Sequence, residues 1–230
     1  QISNGINADY VVVGGKSEPE NNPDEMTLCV VGRGMEGFER GRNLDKMGMK
    51  AQDTAELFFN NVIIPKENVL GEVGRGFFYL MQGLAEERLI AAVGSIASAR
   101  RAFNLTREFV MERKVFGKPL SYMQNTQFKM AEMDTEIEIV EVFIDHLVAE
   151  HNEDRLTANM AAKAKLQSTE IEWKMLDLGV QLHGGAGYMK EYPICNMFTD
   201  ARINRILAGS SEIMKLIISR DIFSESYSSN

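Results

Sequence analysis

Cysteine is nearly absent from these 230 residues: Cys29 and Cys195 stand alone in their segments. That excludes a disulfide framework and a thiolate metal set, and it fits a reducing compartment. Histidine is as scarce. His146, His151 and His183 are the whole complement, and the interval of five between the first two does not bring them onto one helix face. No metal site is expected. No run reaches the ~18 apolar residues that a membrane-spanning helix needs. Basic clusters are missing too, and the net charge is -8. Nucleic acid is therefore not an expected partner, because its binding rests on neutralising phosphates with Lys and Arg. The chain also has no initiator methionine and no targeting segment; it opens Gln1-Ile2-Ser3-Asn4-Gly5. Ile2 reads as the end of a strand with partners upstream, so the expectation is the C-terminal part of a longer protein.

What is present is enough apolar material for a core, 44% of the residues. The first 72 residues or so read as strands and turns. Asp9 to Gly15 is a β-branched run ending in glycines, and Met26 to Val31 is a second strand. Ala55 to Pro65 is a third strand region, bent at Asn60-Asn61. The polar stretch from 16 to 24 holds two prolines and reads as a loop. No helix intervenes, so the sheet is expected to be antiparallel. Gly32-Arg33-Gly34-Met35-Glu36-Gly37 matches the dinucleotide fingerprint G-x-G-x-x-G. That fold needs a helix to start there, and the following Phe38 to Asn43 has no helical stripe; it reads as a turn.

From Gly74 the periodicity changes to 3.6. Helices are expected over about 76–112, 122–152, 154–182 and 210–223, a bundle-like set. Met130, Met133, Ile137, Val140 and Ile144 mark the second, and Ala161, Ala164, Leu166 and Trp173 the third. The 14 methionines read as adaptable core filler. Arg113 to Pro119 and His183 to Tyr188 read as turns. Ser210 with Glu212 is a partial helix-capping pattern, and free N–H groups there suit an anion. The fold class is α+β: a partial antiparallel β domain over 1–72, then an all-α four-helix bundle over 73–230.

The chemistry is expected at Gly83-Leu84-Ala85-Glu86-Glu87-Arg88-Leu89 in the first helix. Leu80, Gly83, Leu84, Ile90, Ala91 and Gly94 share a face with Glu87 at helical spacings. A carboxylate among such residues is expected to be buried, and burial prepares a carboxylate as a base near neutral pH. The helix is apolar or small nearly all round from Leu89 to Ala97, which reads as an interior helix. Periodicity does not choose between Glu86 and Glu87, and a plain ion pair with Arg88 is the alternative.

Several strings together resemble the acyl-CoA dehydrogenases: KMGMKAQDTA (46–55), VIIPKENVLGEVG (62–74), ERKVFGK (112–118), VQLHGGAGYMKEYP (180–193), Asp200-Ala201-Arg202 and Ala208 to Glu212. Leu84 to Leu89 and Tyr79 to Gln82 are most similar to the long-chain branch. The resemblance implies a missing N-terminal helical domain, a partial middle β domain and a complete bundle. It implies FAD as cofactor and an acyl-CoA substrate, with α-proton removal coupled to hydride transfer to flavin N5. Most members carry the base in the last interhelical loop, where this chain has Ala208. The isovaleryl and long-chain branches carry it in a Glu-Arg-Leu string, which is Glu87-Arg88-Leu89 here, so the resemblance selects Glu87.

By position the resemblance also implies substrate contacts at Phe78, Ala85, Glu86, Arg88, Ala208 and Gly209, with the N–H of Ala208 holding the thioester oxygen. Phe78 stands where long-chain relatives have Tyr. FAD contacts are implied at Arg113, Phe116 and Gln124, at Gln181, Leu182, His183, Gly184 and Gly185, and at Ser210, Ser211 and Glu212. The first two sets reach a neighbouring subunit's cofactor, which implies a homo-oligomer of the tetramer type. Electron-transfer flavoprotein is the implied acceptor, and the compartment is cytoplasmic (bacterial) or the mitochondrial matrix. The alternatives are an oxidase on the same fold and a non-catalytic oligomeric scaffold. These 230 residues alone are expected to be inactive.

Overall fold

The computed structural model describes residues 1–16 and 25–224; the loop expected over 16–24 lies, Lys16 apart, outside them. The chain divides into two compact units, Gln1–Gly83 and Leu84–Asn230.

In the first unit β2 (Tyr10–Lys16) pairs antiparallel with β3 (Met26–Gly32), as the period-two runs predict. β7 (Val69–Leu70) extends this sheet on the other side of β3. β1 (Ile2–Ser3) has a partner further along the chain: Ile2 pairs with Ala55 and Ser3 with Thr54, in β5 (Thr54–Ala55). The expected third strand is broken. β6 (Leu57–Phe59) pairs with β4 (Phe38–Arg40) and stops before Asn61, whose φ of 54° turns the chain. Residues 60–64 carry no strand.

The G-x-G-x-x-G segment is a turn, as its lack of a helical stripe indicates. Gly37 is required there: its φ is 82°, and an added Cβ would stand 2.1 Å from the carbonyl oxygen of Asn60. Arg33 donates to the carbonyls of Ile6, Asn7 and Ala8, and Arg40 to those of Gly5 and Ala8. The glycines serve the turn and the arginines pin the 5–8 loop; no phosphate cradle forms.

The second unit is built on helices. α1 (Gly76–Glu112) has the bounds its pattern predicts and runs across the division between the units. α2 (Gln124–Asn152) starts two residues later than expected, after a 3-10 turn over Leu120–Tyr122. α3 (Ala158–His183) starts four residues late because Thr157 caps it, accepting from the Met160 N–H at 3.2 Å. α5 (Ser211–Ile222) packs on α3. α4 (Pro193–Ala201) was not expected; Pro193 opens it at the one helix position where a missing N–H costs nothing. The turn at 113–119 is a small hairpin, β8 (Lys114–Val115) with β9 (Lys118–Pro119).

The bundle core joins Leu89, Ala92, Ile96 and Ala99 of α1 to Met133, Ile137, Val140, Ile144 and Leu147 of α2 and to Ala164 and Met175 of α3. Two of the four α1 residues in it, Ala92 and Ala99, are alanine. The interior-helix reading of 89–97 is corrected: Ile90 is 63% and Val93 41% exposed. α1 buries one stripe and presents a second apolar face outward. The methionines divide likewise. Met133, Met175 and Met214 are fully buried, whereas Met47, Met81, Met111 and Met189 are exposed.

Candidate active site

Glu87 lies on the outward face of α1 and is exposed, as are Glu86, Ile90 and Gly94. The expectation of a carboxylate buried by its own helix face is corrected. That face is apolar, but none of the described residues of the second unit encloses it. The next residue turns the other way. Arg88 is 8% exposed, and its Nε finds no hydrogen-bond partner among the described residues. Burial pushes the Arg88 guanidinium below its ordinary range, opposed by the negative charge of Glu87. No ion pair within 4.0 Å joins Arg88 to either glutamate among the described residues, so the plain ion-pair alternative is not formed.

A second buried cation faces this region. Lys165 of α3 is fully buried, and its Nζ donates to the carbonyl of Gly209 at 2.8 Å. Burial pulls the Lys165 ammonium below the ordinary lysine range; the charge of Arg88 adds to this, and Glu170 and Glu212 oppose it. Sequence reasoning missed Lys165. The signal was there: it sits on the α3 stripe with Ala161, Ser168, Glu172 and Met175, a lysine at a core-facing position.

The loop that Lys165 holds has an unusual backbone. Ala208 (φ 52°) and Gly209 (φ 93°) are consecutive left-handed residues. The Ala208 N–H has no acceptor among the described residues. Ser210 caps α5, its hydroxyl accepting from the Ile213 N–H at 3.5 Å. Ser211 is buried and its hydroxyl donates to Glu170 Oε1 at 2.8 Å, so whatever it offers a ligand comes from its backbone. The Glu212 carboxylate is held below the usual carboxylate range by its own backbone N–H and the Ser210 hydroxyl.

Glu172 is a third buried charge, 2% exposed, and was also missed. Burial pushes its carboxyl up, against hydrogen bonds from Asn204 (2.8 Å), Ser98 and Ser95.

The remaining candidates gather elsewhere. Arg113 and Phe116 flank the β8–β9 hairpin after α1, and Gln124 opens α2; all three are exposed, Phe116 at 98%. His183, Gly184 and Gly185 end α3. The His183 ring stacks on Phe109, one turn before Arg113, with centroids 4.2 Å apart. Its Nδ1 lies 2.7 Å from the carbonyl of Gly179, so Nδ1 carries the proton; burial lowers its pKa against that bond. Gln181 is exposed and Leu182 half-buried beside them.

The candidate residues of the bundle therefore form two groups at opposite ends. Lys165 meets Gly209 at one end of α3, and His183 meets Phe109 about five turns further along, roughly 27 Å at the α-helical rise. Ser210, Ser211 and Glu212 lie at the Lys165 end, where Lys165 feels the charges of both Arg88 and Glu212, and not with the other expected cofactor contacts. In the first unit, Phe78 is exposed, with the Arg75 guanidinium 4.8 Å over its ring.

The far group fits the phosphates and sugars of a dinucleotide. The Arg113 guanidinium has no partner among the described residues. An added Cβ at Gly184 or Gly185 meets no atom within 4 Å, which leaves the backbone there open to a ligand.

Comparison with known proteins agrees with this architecture. The family model described as acyl-CoA dehydrogenase, C-terminal domain, matches residues 74–223, and this chain belongs to the acyl-CoA dehydrogenase family. It is 44% identical to the mitochondrial long-chain specific acyl-CoA dehydrogenase of Mus musculus, over 98% of this chain and 53% of that protein. It is 34% identical to the mitochondrial isovaleryl-CoA dehydrogenase of Solanum tuberosum, over 97% and 54%. The crystal structure of acyl-CoA dehydrogenase from Geobacillus kaustophilus superposes with a TM-score of 0.94 at 43% identity, covering 96% of this chain and 58% of that one. The chain spans about half the length of the curated relatives it matches.

Proposed function

We propose that this chain supplies the acid–base half of a flavin-dependent acyl-CoA dehydrogenase of long-chain type, with Glu87 as the base that takes the α-proton. One observation carries the reading: the carboxylate sits on the outward apolar face of α1, one residue from a buried arginine, while the interhelical loop carries alanine at 208. An acyl chain lying on that face would displace water from the carboxylate, and a carboxylate stripped of water is a stronger base. The free N–H of Ala208 holds the thioester oxygen as negative charge builds on it. Arg88 adds a fixed positive charge close by, and the lack of bulk at Ala208 and Gly209 leaves room for the acyl chain. Ala85 and Glu86 line the substrate.

FAD, when bound, supplies the hydride acceptor. Arg113, Phe116, Gln124 and the Gln181–Gly185 turn would hold the adenosine and pyrophosphate side of a neighbouring subunit's cofactor; Ser210, Ser211 and Glu212 would meet the subunit's own. The separation of the two groups along the bundle supports this shared arrangement and hence a homo-oligomer, of the tetramer type. The proposal includes a partial β domain over 1–72, the bundle over 73–230, electron-transfer flavoprotein as acceptor, a bacterial cytoplasm or mitochondrial matrix, and inactivity of these 230 residues alone.

The test is anaerobic mixing of the full-length protein with a long-chain acyl-CoA while flavin absorbance is followed. Bleaching is expected; the bleached enzyme, mixed afterwards with electron-transfer flavoprotein or with aerated buffer, is expected to reoxidise fast with the first and slowly with the second. No bleaching with any acyl-CoA refutes the substrate class; fast oxygen reduction makes the protein an oxidase.

A further inference from the structure

The fold buries an ammonium with no carboxylate partner among the described residues. Lys165 is fully enclosed in α3, and no carboxylate lies within 4.0 Å of it among the described residues. The other buried cation, Arg88, is close enough to repel it. A buried charge without a counter-ion is costly, and an apolar side chain of similar length would cost the fold less. What Lys165 does have is one directed bond, to the carbonyl of Gly209 at 2.8 Å. That carbonyl follows the two left-handed residues of the loop, Ala208 and Gly209, and precedes the Ser210 cap of α5. The bond fixes the peptide plane after Gly209 and so anchors the left-handed turn two peptide planes beyond the Ala208 N–H.

We infer that Lys165 is a positioning residue of the reaction: its bond to the Gly209 carbonyl holds the 208–209 loop so that the Ala208 N–H faces the thioester oxygen. This rests on the proposed dehydrogenase reading for its chemical consequence, but not for the anchoring itself. The lysine touches no reacting atom; it acts through the backbone. A donor misplaced by an ångström loses most of its effect on a developing oxyanion, whereas substrate binding, which rests on many contacts, changes little.

The experiment uses the full-length protein as wild type, Lys165→Met and Lys165→Gln, with three readouts: steady-state kinetics with a long-chain acyl-CoA, thermal melting, and hydrogen exchange over residues 206–213. Lys165→Met is expected to keep its flavin and to melt no lower than wild type. Its kcat is expected to fall about 10- to 100-fold with KM within about threefold, because only a transition-state contact is misplaced. Exchange over 206–213 is expected to speed up while the core of α3 stays protected. Lys165→Gln, whose amide can still donate to the carbonyl, is expected to recover part of kcat. Wild-type kcat and exchange in Lys165→Met overturn the inference. So does a lowered melting point with unchanged kcat, or failure of both variants to fold, since either makes the lysine structural. If wild type does not act on acyl-CoA at all, the dehydrogenase reading fails, and the exchange readout still decides whether Lys165 anchors the loop.

Discussion

Gly209→Ala and Ala208→Gly are expected to move stability in opposite directions although the residues are adjacent. At Gly209, φ is 93°, and an added Cβ would stand 2.6 Å from Cε of Met214. A left-handed backbone costs an L-residue roughly 1–2 kcal/mol. Met214 is fully buried, so its terminal methyl must be displaced within a closed core, at about 1 kcal/mol or a little more. The lower freedom of alanine in the unfolded chain returns about 0.5–1 kcal/mol, and the sum is a loss of about 1–2.5 kcal/mol. Ala208 already has φ 52° with a side chain in place. Removing its Cβ relieves roughly 1–2 kcal/mol of strain and gives back about 0.5–1 kcal/mol through the greater freedom of glycine in the unfolded chain. Ala208→Gly should therefore be neutral to about 1 kcal/mol more stable. Urea titration of the full-length protein, followed by far-UV circular dichroism, measures both. A Gly209→Ala variant within 0.5 kcal/mol of wild type, by this order-of-magnitude reckoning, would refute the loop geometry on which the site depends.

Two further outcomes concern the bundle. Glu172 has a carboxyl raised by burial, so its contribution to stability is present below the unfolded value of 4.5 and is lost as pH rises through the folded one. Glu172→Gln keeps an acceptor for Asn204 and should flatten the fall in melting temperature as pH rises above 4.5; an unchanged pH profile would count against a carboxyl raised by burial. Arg100 makes a two-pronged contact with Glu141 at 2.6 and 2.9 Å and meets Asp134 at 2.6 Å, tying α1 to α2. The network is partly solvated, so Arg100→Met should cost about 1–2 kcal/mol in a urea titration, and 0.5 M salt should reduce the difference.

The sequence was most informative where one periodic pattern extended over many turns. Both ends of α1 and the apolar stripe of α2 from Met133 to Ile144 could be read directly, because a long 3.6 repeat has one geometric solution. It was least informative about what covers a face. The residues around Glu87 are apolar as read, yet they point outward; periodicity reports that a face is apolar and not which neighbour encloses it. Lys165 and Glu172 share the α3 stripe with apolar residues that dominate its pattern, although a charge at a core-facing position was legible there. α4 was missed because nine residues hold too few turns for a pattern to stand out; the strand region expected over 55–65 turns at Asn61, as read, but does not resume after it. The grouping of the candidate residues at two ends of the bundle needed the structure, since it depends on which helices run side by side.

The central claim is that Glu87 takes the α-proton. Its most direct test is Glu87→Gln in the full-length protein, mixed anaerobically with a long-chain acyl-CoA beside wild type. The exposed position on α1 makes the substitution safe for the fold. The expected result is a variant that binds flavin and acyl-CoA as wild type does and fails to bleach the flavin, with the rate down by at least about 10³-fold. Equal bleaching in both would place the base elsewhere and remove the main support for the long-chain reading.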